Sequence, residues 1–203
     1  MGNINVPLGH EFADLKCSYD DMVNSVIEGV GKNAEVVIND KGGKQSKAPM
    51  AMHLVDPKFL KEFAYNKANT LEYEDEGESI CIDDDNIAAH SCYKAIENIA
   101  DFMLTGIDFN LQIAMDCLVP DELQQVITIA KVLQYGAERY EPNNWRLIPQ
   151  EEHLNHALIH IIAELSGDNQ DEHREHALCR LMMALATKQS EDFSYTKYIT
   201  KNS

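Results

Sequence analysis

The spacing of apolar and polar residues is clearest toward the C-terminal part of the chain. Between Pro149 and Leu165, residues Leu154, Leu158, Ile161, Ile162 and Leu165 fall on one face of an α-helix, and His153, His156, His160 and Glu164 fall on a separate narrow stripe. From Asp171 to Thr187 the pattern repeats, with Leu178, Leu181, Met182 and Leu185 apolar and His173, His176 and Arg180 on a neighbouring stripe. Gly167-Asp168 between them predicts a tight turn, so the two segments read as an antiparallel helix hairpin. The offset between stripes has the same sign in both helices. With both apolar faces turned to one core, the polar stripes must either both enter the groove between the helices or both leave it. The first arrangement builds a site and the second decorates a surface; the pattern allows either.

Ahead of the hairpin, Asp121 to about Tyr140 predicts a helix with Val126, Ile129, Ala130, Leu133, Ala137 and Tyr140 on one face. Tyr135, Glu138 and Arg139 lie off that face. Ile87–Leu104 has helical spacing and stops at Gly106, with Glu97 and Asp101 one turn apart as a metal-chelating pair would be. Asp56-Pro57 opens another helix, and a short one is expected over Tyr19–Glu28. The β-branched run AEVVIND (34–40) reads as a short strand or extended segment. Residues 69–86 are acidic and read as a solvated loop or small hairpin around SICI; their Asp cluster lacks the spacing and glycine of an EF-hand. LVDPKFL (54–60) and CLVPDEL (117–123) resemble each other as proline-marked helix starts, which suggests that residues 58–118 are inserted at one helix entry. The expected fold class is mainly α, a compact helical domain built on the antiparallel hairpin. A short extended N-terminal segment and a small acidic insertion complete one domain over 1–203.

Composition narrows the function classes. The formal net charge of −17 argues against wrapping DNA or coating RNA, since backbone binding needs a basic footprint. A small phosphorylated ligand needs only a local group of cations. Five cysteines (17, 81, 92, 117, 179) form no CxxC pair, so a zinc ribbon or a disulfide framework is not indicated, and reduced thiols in a cytoplasm are expected. Met1–Asp14 lacks the basic and apolar regions of a signal peptide, and no apolar run approaches a membrane span.

Local cations do occur. DKGGKQSKAP sets three lysines around a Gly-Gly pair, without the Walker A pattern. It reads either as an ordinary surface loop or as a phosphate contact from Lys44 and Lys47 aided by backbone N–H groups. For the histidine helices, HExxH is absent, because His156-Ala157-Leu158-Ile159-His160 has no Glu inside it, and no His-Asp dipeptide exists for a phosphohydrolase of that type. Anion recognition by the imidazoles and Arg180, with Arg146 assisting, ranks ahead of metal binding. Hydrogen-bonding histidines without a ligand are the remaining alternative. Trp145, beside Arg146 and after Tyr135 and Tyr140, reads either as a core plug or as part of a nucleobase pocket.

Taken together, NDKGGKQSKAP, the proline-marked helix start, IAKVLQYGAERYEPNNWRLIP, HLNHALIHIIAELSGD and DEHREHALCRLMMAL resemble a mostly phage-encoded family, the N-terminal domain of dATP/dGTP diphosphohydrolases. The resemblance covers about 38–57 and 119–186, interrupted by the insertion. It implies a helical domain handling deoxynucleoside triphosphates. The recurring positions correspond to Gly43, Lys44, Ser46, Lys47, Gly136, Tyr140, Asn144, Trp145, Arg146, His160, Gly167, His173 and His176. Two positions depart: Asn155 stands where an acid is expected, and Ile159 where a basic residue often precedes the histidine.

The expected function is hydrolysis of a purine deoxynucleoside triphosphate to monophosphate and diphosphate. Phosphate and nucleotide contacts are assigned to Lys44, Lys47, Trp145, Arg146, His156, His160, His176 and Arg180. Glu138, Glu141, Asp171 and Glu175 are candidates to hold Mg²⁺ or Mn²⁺. Helical NTP pyrophosphatases usually carry an EExxE helix and a later ExxD, of which Glu138-Arg139-Tyr140-Glu141 is only a partial echo. The alternative is a non-catalytic binder, a phage sponge for a host signalling nucleotide; a structural or protein-interaction module is a third reading. Partners are expected to be a small nucleotide and a second copy of the chain, with neither membrane nor long nucleic acid.

Overall fold

The structure, a computed structural model, describes residues 35–73 and 84–187. The helix expected over Tyr19–Glu28 and the SICI run lie outside the described residues. A two-stranded antiparallel hairpin, β1 (Val36–Ile38) and β2 (Lys44–Ser46), pairs Val36 with Ser46 and Ile38 with Lys44. Six α-helices follow among the described residues: α1 (Pro57–Tyr73), α2 (Asp84–Thr105), α3 (Asp108–Leu118), α4 (Glu122–Tyr140), α5 (Gln150–Leu165) and α6 (His173–Ala186). The fold is mainly α, as expected. The helix α3 was not anticipated; Leu111, Ala114, Met115 and Leu118 give it an apolar face of three and four residue spacing. Residues 69–73, expected in a loop, continue α1.

The helices end where local chemistry ends them. Gly106 (φ 69°) and Gly167 (φ 76°) take the left-handed conformation that stops α2 and α5. At Gly167 the stop is a Schellman turn: Gly167 N–H donates to the Glu164 carbonyl at 3.0 Å and Asp168 N–H to the Ala163 carbonyl at 3.1 Å. Asp121 caps α4, its side chain accepting from Gln124 N–H at 2.6 Å.

One apolar core is shared by α1, α2, α3, α5 and α6, with Leu60, Ile99, Leu111, Leu158 and Leu178 each buried in it. The segment 58–118 therefore supplies side chains to the same core as the hairpin. Helix α5 runs through the middle: every side chain from His153 to Ile161 is buried, polar and apolar alike. That departs from the two-faced helix the pattern suggested. Asn155 is one of these buried groups, accepting from His53 N–H at 3.3 Å and donating to the Met50 carbonyl at 3.1 Å. An acid could not supply the second bond. Ile159 packs beside it on Ala48, Met50 and Met52. Both departures from the family pattern thus hold the segment that leads from β2 to α1.

Helix α4 is turned differently from the expectation. Its buried residues are Gln125 and Thr128, while Val126 is 66% exposed and Leu123 70%. Gln125 is buried because its amide donates to Asp116 at 2.9 Å and to the Val119 carbonyl at 2.7 Å. Of the expected apolar stripe, Ile129 packs, partly buried, against the core, while Ala130, Leu133, Ala137 and Tyr140 face a cavity.

The strand hairpin is docked by backbone-sized contacts. Asn39 accepts from Lys41 and Gly43 N–H groups and donates to the Leu147 carbonyl at 2.7 Å. A Cβ on Gly43 would lie 2.8 Å from that carbonyl oxygen, closer than real Cβ contacts. Gly43→Ala is expected to cost roughly 1–3 kcal/mol through this clash, read as a lowered denaturant midpoint with unchanged slope. A variant as stable as wild type would contradict the docking.

Candidate functional site

A cavity of about 480 Å³ opens between α4, the 141–148 loop and the α5–α6 pair. That volume is within the ~300–1,000 Å³ range of small-molecule sites. His156, His160, His176 and Arg180 all line it, so the two polar stripes turn into the groove between α5 and α6. The rings of His160 and His176 lie 5.0 Å apart. Trp145, Lys44, Glu141 and Asp171 also reach the cavity. Lys47, Arg146, Glu138 and Glu175 do not line it. Lys47 pairs with Glu35 at 3.0 Å on the surface. The Arg146 guanidinium lies over the Trp145 ring, 4.3 Å from its centroid, and borders a separate cavity of about 180 Å³. Glu97 and Asp101, the chelating pair considered on α2, are engaged by Lys94 at 3.2 Å and Lys61 at 2.6 Å.

The mouth is assembled across a long sequence separation. Asn144 accepts from Lys44 N–H at 2.9 Å and donates to the Lys44 carbonyl, clipping β2 to the loop. Lys44 Nζ then reaches Glu141 at 2.8 Å. Lys44 holds the exposed Glu141 carboxyl below its ordinary range, first by hydrogen bonding and then by charge. The Ser46 and Tyr140 hydroxyls are 2.8 Å apart on the same side. Glu141 (φ 84°) and Asn143 (φ 61°) occupy the left-handed region without being glycine, so the rim of the cavity carries backbone strain. Gly136, in the α4 wall, has nothing within 4 Å of where a Cβ would sit, and so enlarges the cavity.

Deeper in, histidines form two chains of hydrogen bonds. In the first, His153 Nε2 lies 3.1 Å from the Trp145 carbonyl and its Nδ1 lies 3.2 Å from Arg180 Nη1. The carbonyl requires the hydrogen on Nε2, so Nδ1 accepts from the guanidinium. Burial, reinforced by Arg180, pulls His153 down to about 3. A neutral imidazole therefore positions Arg180. Burial also lowers Arg180 from its ordinary value. Among the described residues no carboxylate lies within ion-pair distance of it.

In the second chain, Asp168 Oδ2 is 2.8 Å from His173 Nε2, and His173 Nδ1 is 3.0 Å from His160 Nδ1. With Asp168 accepting from Nε2–H, the Nε2–H tautomer of His173 accepts at Nδ1, and His160 then carries its hydrogen on Nδ1. His160 Nε2 is left as a lone pair, and among the described residues nothing hydrogen-bonds to it. Burial, then His176, His173 and Arg180, keeps His160 well below its ordinary range. His176 Nδ1 lies 3.3 Å from Asp171 Oδ2. One nitrogen from each of His160 and His176 and a carboxylate oxygen of Asp171 lie within 4.8 Å of one another. His156 interacts with the Ser46 backbone, while its buried Nε2 has no partner. Cys179 also reaches the cavity, but burial raises its thiol to about 12, which removes it as a nucleophile.

His153 and Asp168 were not among the expected site residues. His153 shares the stripe of His156 and His160, which was a usable signal. Asp168 carried none beyond following Gly167.

A mainly helical domain with a cation-walled, aromatic-edged cavity is the class that fold and site define. Residues 111–195 match the family described as dATP/dGTP diphosphohydrolase, N-terminal. The match covers α4, α5, α6 and most of α3, and leaves the β-hairpin outside. No curated protein and no solved structure gives a significant match. No helix among the described residues is long and apolar enough to cross a membrane.

Neutral burial has a pH consequence. His153 and His156 lie below the ordinary value of 6.5 when folded and return to it on unfolding. Below that value the unfolded chain binds protons that the folded chain refuses, so stability is full above about pH 7 and falls toward acid. The expected loss from about pH 7.5 to about pH 5 is roughly 2 kcal/mol for each of the two imidazoles. Urea unfolding at the two pH values measures it, and equal free energies would show that these rings are not buried neutral.

Proposed function

We propose that the cavity binds a purine deoxynucleoside triphosphate and that the protein hydrolyses it, consuming one water and releasing the monophosphate and diphosphate. The observation that carries the reading is Arg180. A half-buried guanidinium beside a neutral imidazole, with no carboxylate in ion-pair reach among the described residues, is less favourable than one met by an anion. A phosphate chain supplies that anion, and Arg180 would meet it with charge-assisted hydrogen bonds. Lys44 stands at the mouth, where exchanging Glu141 for phosphate would cost little because the pair is solvated. Trp145 would lie against the base, with Arg146 stacked on its ring. The bare Nε2 of a neutral His156 suits a ligand N–H or O–H better than a phosphate oxygen. Arg146 and Lys47 would contribute less directly than the sequence pattern suggests.

Hydrolysis of this kind calls for a divalent cation, Mg²⁺ or Mn²⁺, to neutralise phosphate charge and activate water. The carboxylates that reach the cavity among the described residues are Glu141 and Asp171. Glu141 is engaged by Lys44 and Asp171 lies against His176. This scarcity of free carboxylates favours a second reading, a protein that binds its nucleotide without turnover.

Incubation of the purified protein with dATP or dGTP and Mg²⁺ or Mn²⁺, resolved by ion-pair chromatography, separates the two. Diphosphate release supports hydrolysis, whereas intact nucleotide recovered from a tight complex supports the binder. Arg180→Met is expected to weaken nucleotide binding by about 10- to 100-fold, the worth of a hydrogen bond to a charged group. Thermal stability of the variant should stay the same or rise, because a desolvated cation is removed. Unchanged affinity in that variant would remove Arg180 from the site and overturn the reading.

A further inference from the structure

We propose that His160, Asp171 and His176 form a site for one transition-metal dication, and that Asp168 and His173 are its positioning residues. The ligand atoms come from two helices and the turn between them. His160 is on α5, Asp171 is in the turn, and His176 is one turn into α6. Their nearest donor atoms lie within 4.8 Å of one another. Asp171 Oδ2 and His176 Nδ1 are 3.3 Å apart, close to the ~3–3.5 Å between neighbouring ligands on an ion with bonds of about 2.1 Å.

The hydrogen-bond chain behind the cluster is what separates it from a chance grouping. A ligating imidazole needs a lone pair on one nitrogen and a fixed hydrogen on the other, generally held by a carboxylate or carbonyl. Asp168 fixes His173, His173 takes the hydrogen of His160 Nδ1, and His160 Nε2 is left as a lone pair with no hydrogen bond among the described residues. The Asp168 and His173 side chains are nearly inaccessible, 4% and 1% exposed, so this arrangement is held away from competing water. The Schellman turn at Gly167 sets the whole chain, because it returns Asp168 onto the first turn of α6.

The donor set selects the ion. Two imidazoles and one carboxylate suit Mn²⁺, Fe²⁺, Co²⁺ or Zn²⁺, while Mg²⁺ prefers oxygen donors. Three protein ligands leave coordination positions open to water or to an oxygen of the ligand in the same cavity. A dication beside Arg180 is better tolerated when an anion spans them, and for that ternary complex the inference rests on the nucleotide reading; the binding of metal alone does not.

The test uses the full chain, stripped with EDTA and titrated separately with Mn²⁺, Co²⁺ and Mg²⁺. Calorimetry and Mn²⁺ paramagnetic resonance report occupancy, and the Co²⁺ visible spectrum reports coordination by nitrogen. One Mn²⁺ or Co²⁺ should bind per chain, with Mg²⁺ at least about tenfold weaker. Asp171→Asn and His176→Gln, both at half-buried positions, should reduce binding at least tenfold while circular dichroism confirms the fold. For the positioning pair, Asp168→Ala should weaken Co²⁺ binding by about 10- to 100-fold and alter its spectrum. Asp168→Asn, which still accepts from His173, should restore both. Failure of wild type to bind either transition ion more tightly than ~1 mM overturns the site. Binding that survives both ligand substitutions overturns it equally. Wild-type nucleotide affinity measured in excess EDTA keeps the two questions apart, since it tests the nucleotide reading without metal, and metal titration without nucleotide tests the metal site alone.

Discussion

The groove between α5 and α6 is filled by imidazoles, a guanidinium and a carboxylate, and the rest of the structure depends on those groups satisfying one another. A buried polar group without a partner costs about 1–3 kcal/mol, so a helix carrying His153, Asn155, His156 and His160 through the core would be unstable in isolation. His153, Asn155 and His160 instead meet fixed partners: the Trp145 carbonyl and Arg180, the Met50 and His53 backbone, and His173. Among the described residues, His156 Nε2, His160 Nε2 and the charge of Arg180 are left without a partner beside the cavity, whereas Gln45 Oε1 and Arg174 Nε, also buried without a partner, belong to residues that do not line it. A site is built from such remainders, because a ligand that completes them recovers free energy that folding left unspent.

Placing these remainders requires a rigid frame, and the frame is made of backbone-sized contacts. Gly43 lets the strand hairpin sit against the Leu147 carbonyl, and Asn144 bonds both backbone groups of Lys44. Lys44 is thereby brought to the rim from about one hundred residues away in sequence. Strain at Glu141 and Asn143 falls on the same rim. At the other end, the Gly167 turn fixes Asp168 and through it two histidines. Small residues at turns thus decide where the charged ones stand.

Helix α4 is the least conventional wall. It buries Gln125 and Thr128 and presents apolar side chains to the cavity and to solvent. A cavity with cations on one side and methyl groups on the other suits a ligand with a charged chain and a flat, weakly polar ring. Gly136 in that wall weakens the helix by about 1 kcal/mol relative to Ala, yet opens the space beside it.

The sequence alone determined the helical class, the hairpin and its Gly167 turn, because three-to-four residue periodicity and capping chemistry are local. It also singled out His156, His160, His176 and Arg180, which share stripes that one rotation per residue makes visible. Whether those stripes converged was a matter of how two helices pack, and only the tertiary structure decided it. Tertiary structure likewise separated Lys44 from Lys47 and Glu141 and Asp171 from Glu138 and Glu175. Residues a few positions apart have similar local chemistry but face a cavity or bulk water according to elements distant in sequence. The polar burial of α4 was illegible for the same reason: amphipathic spacing says that a face is apolar, and the fold says what the face meets.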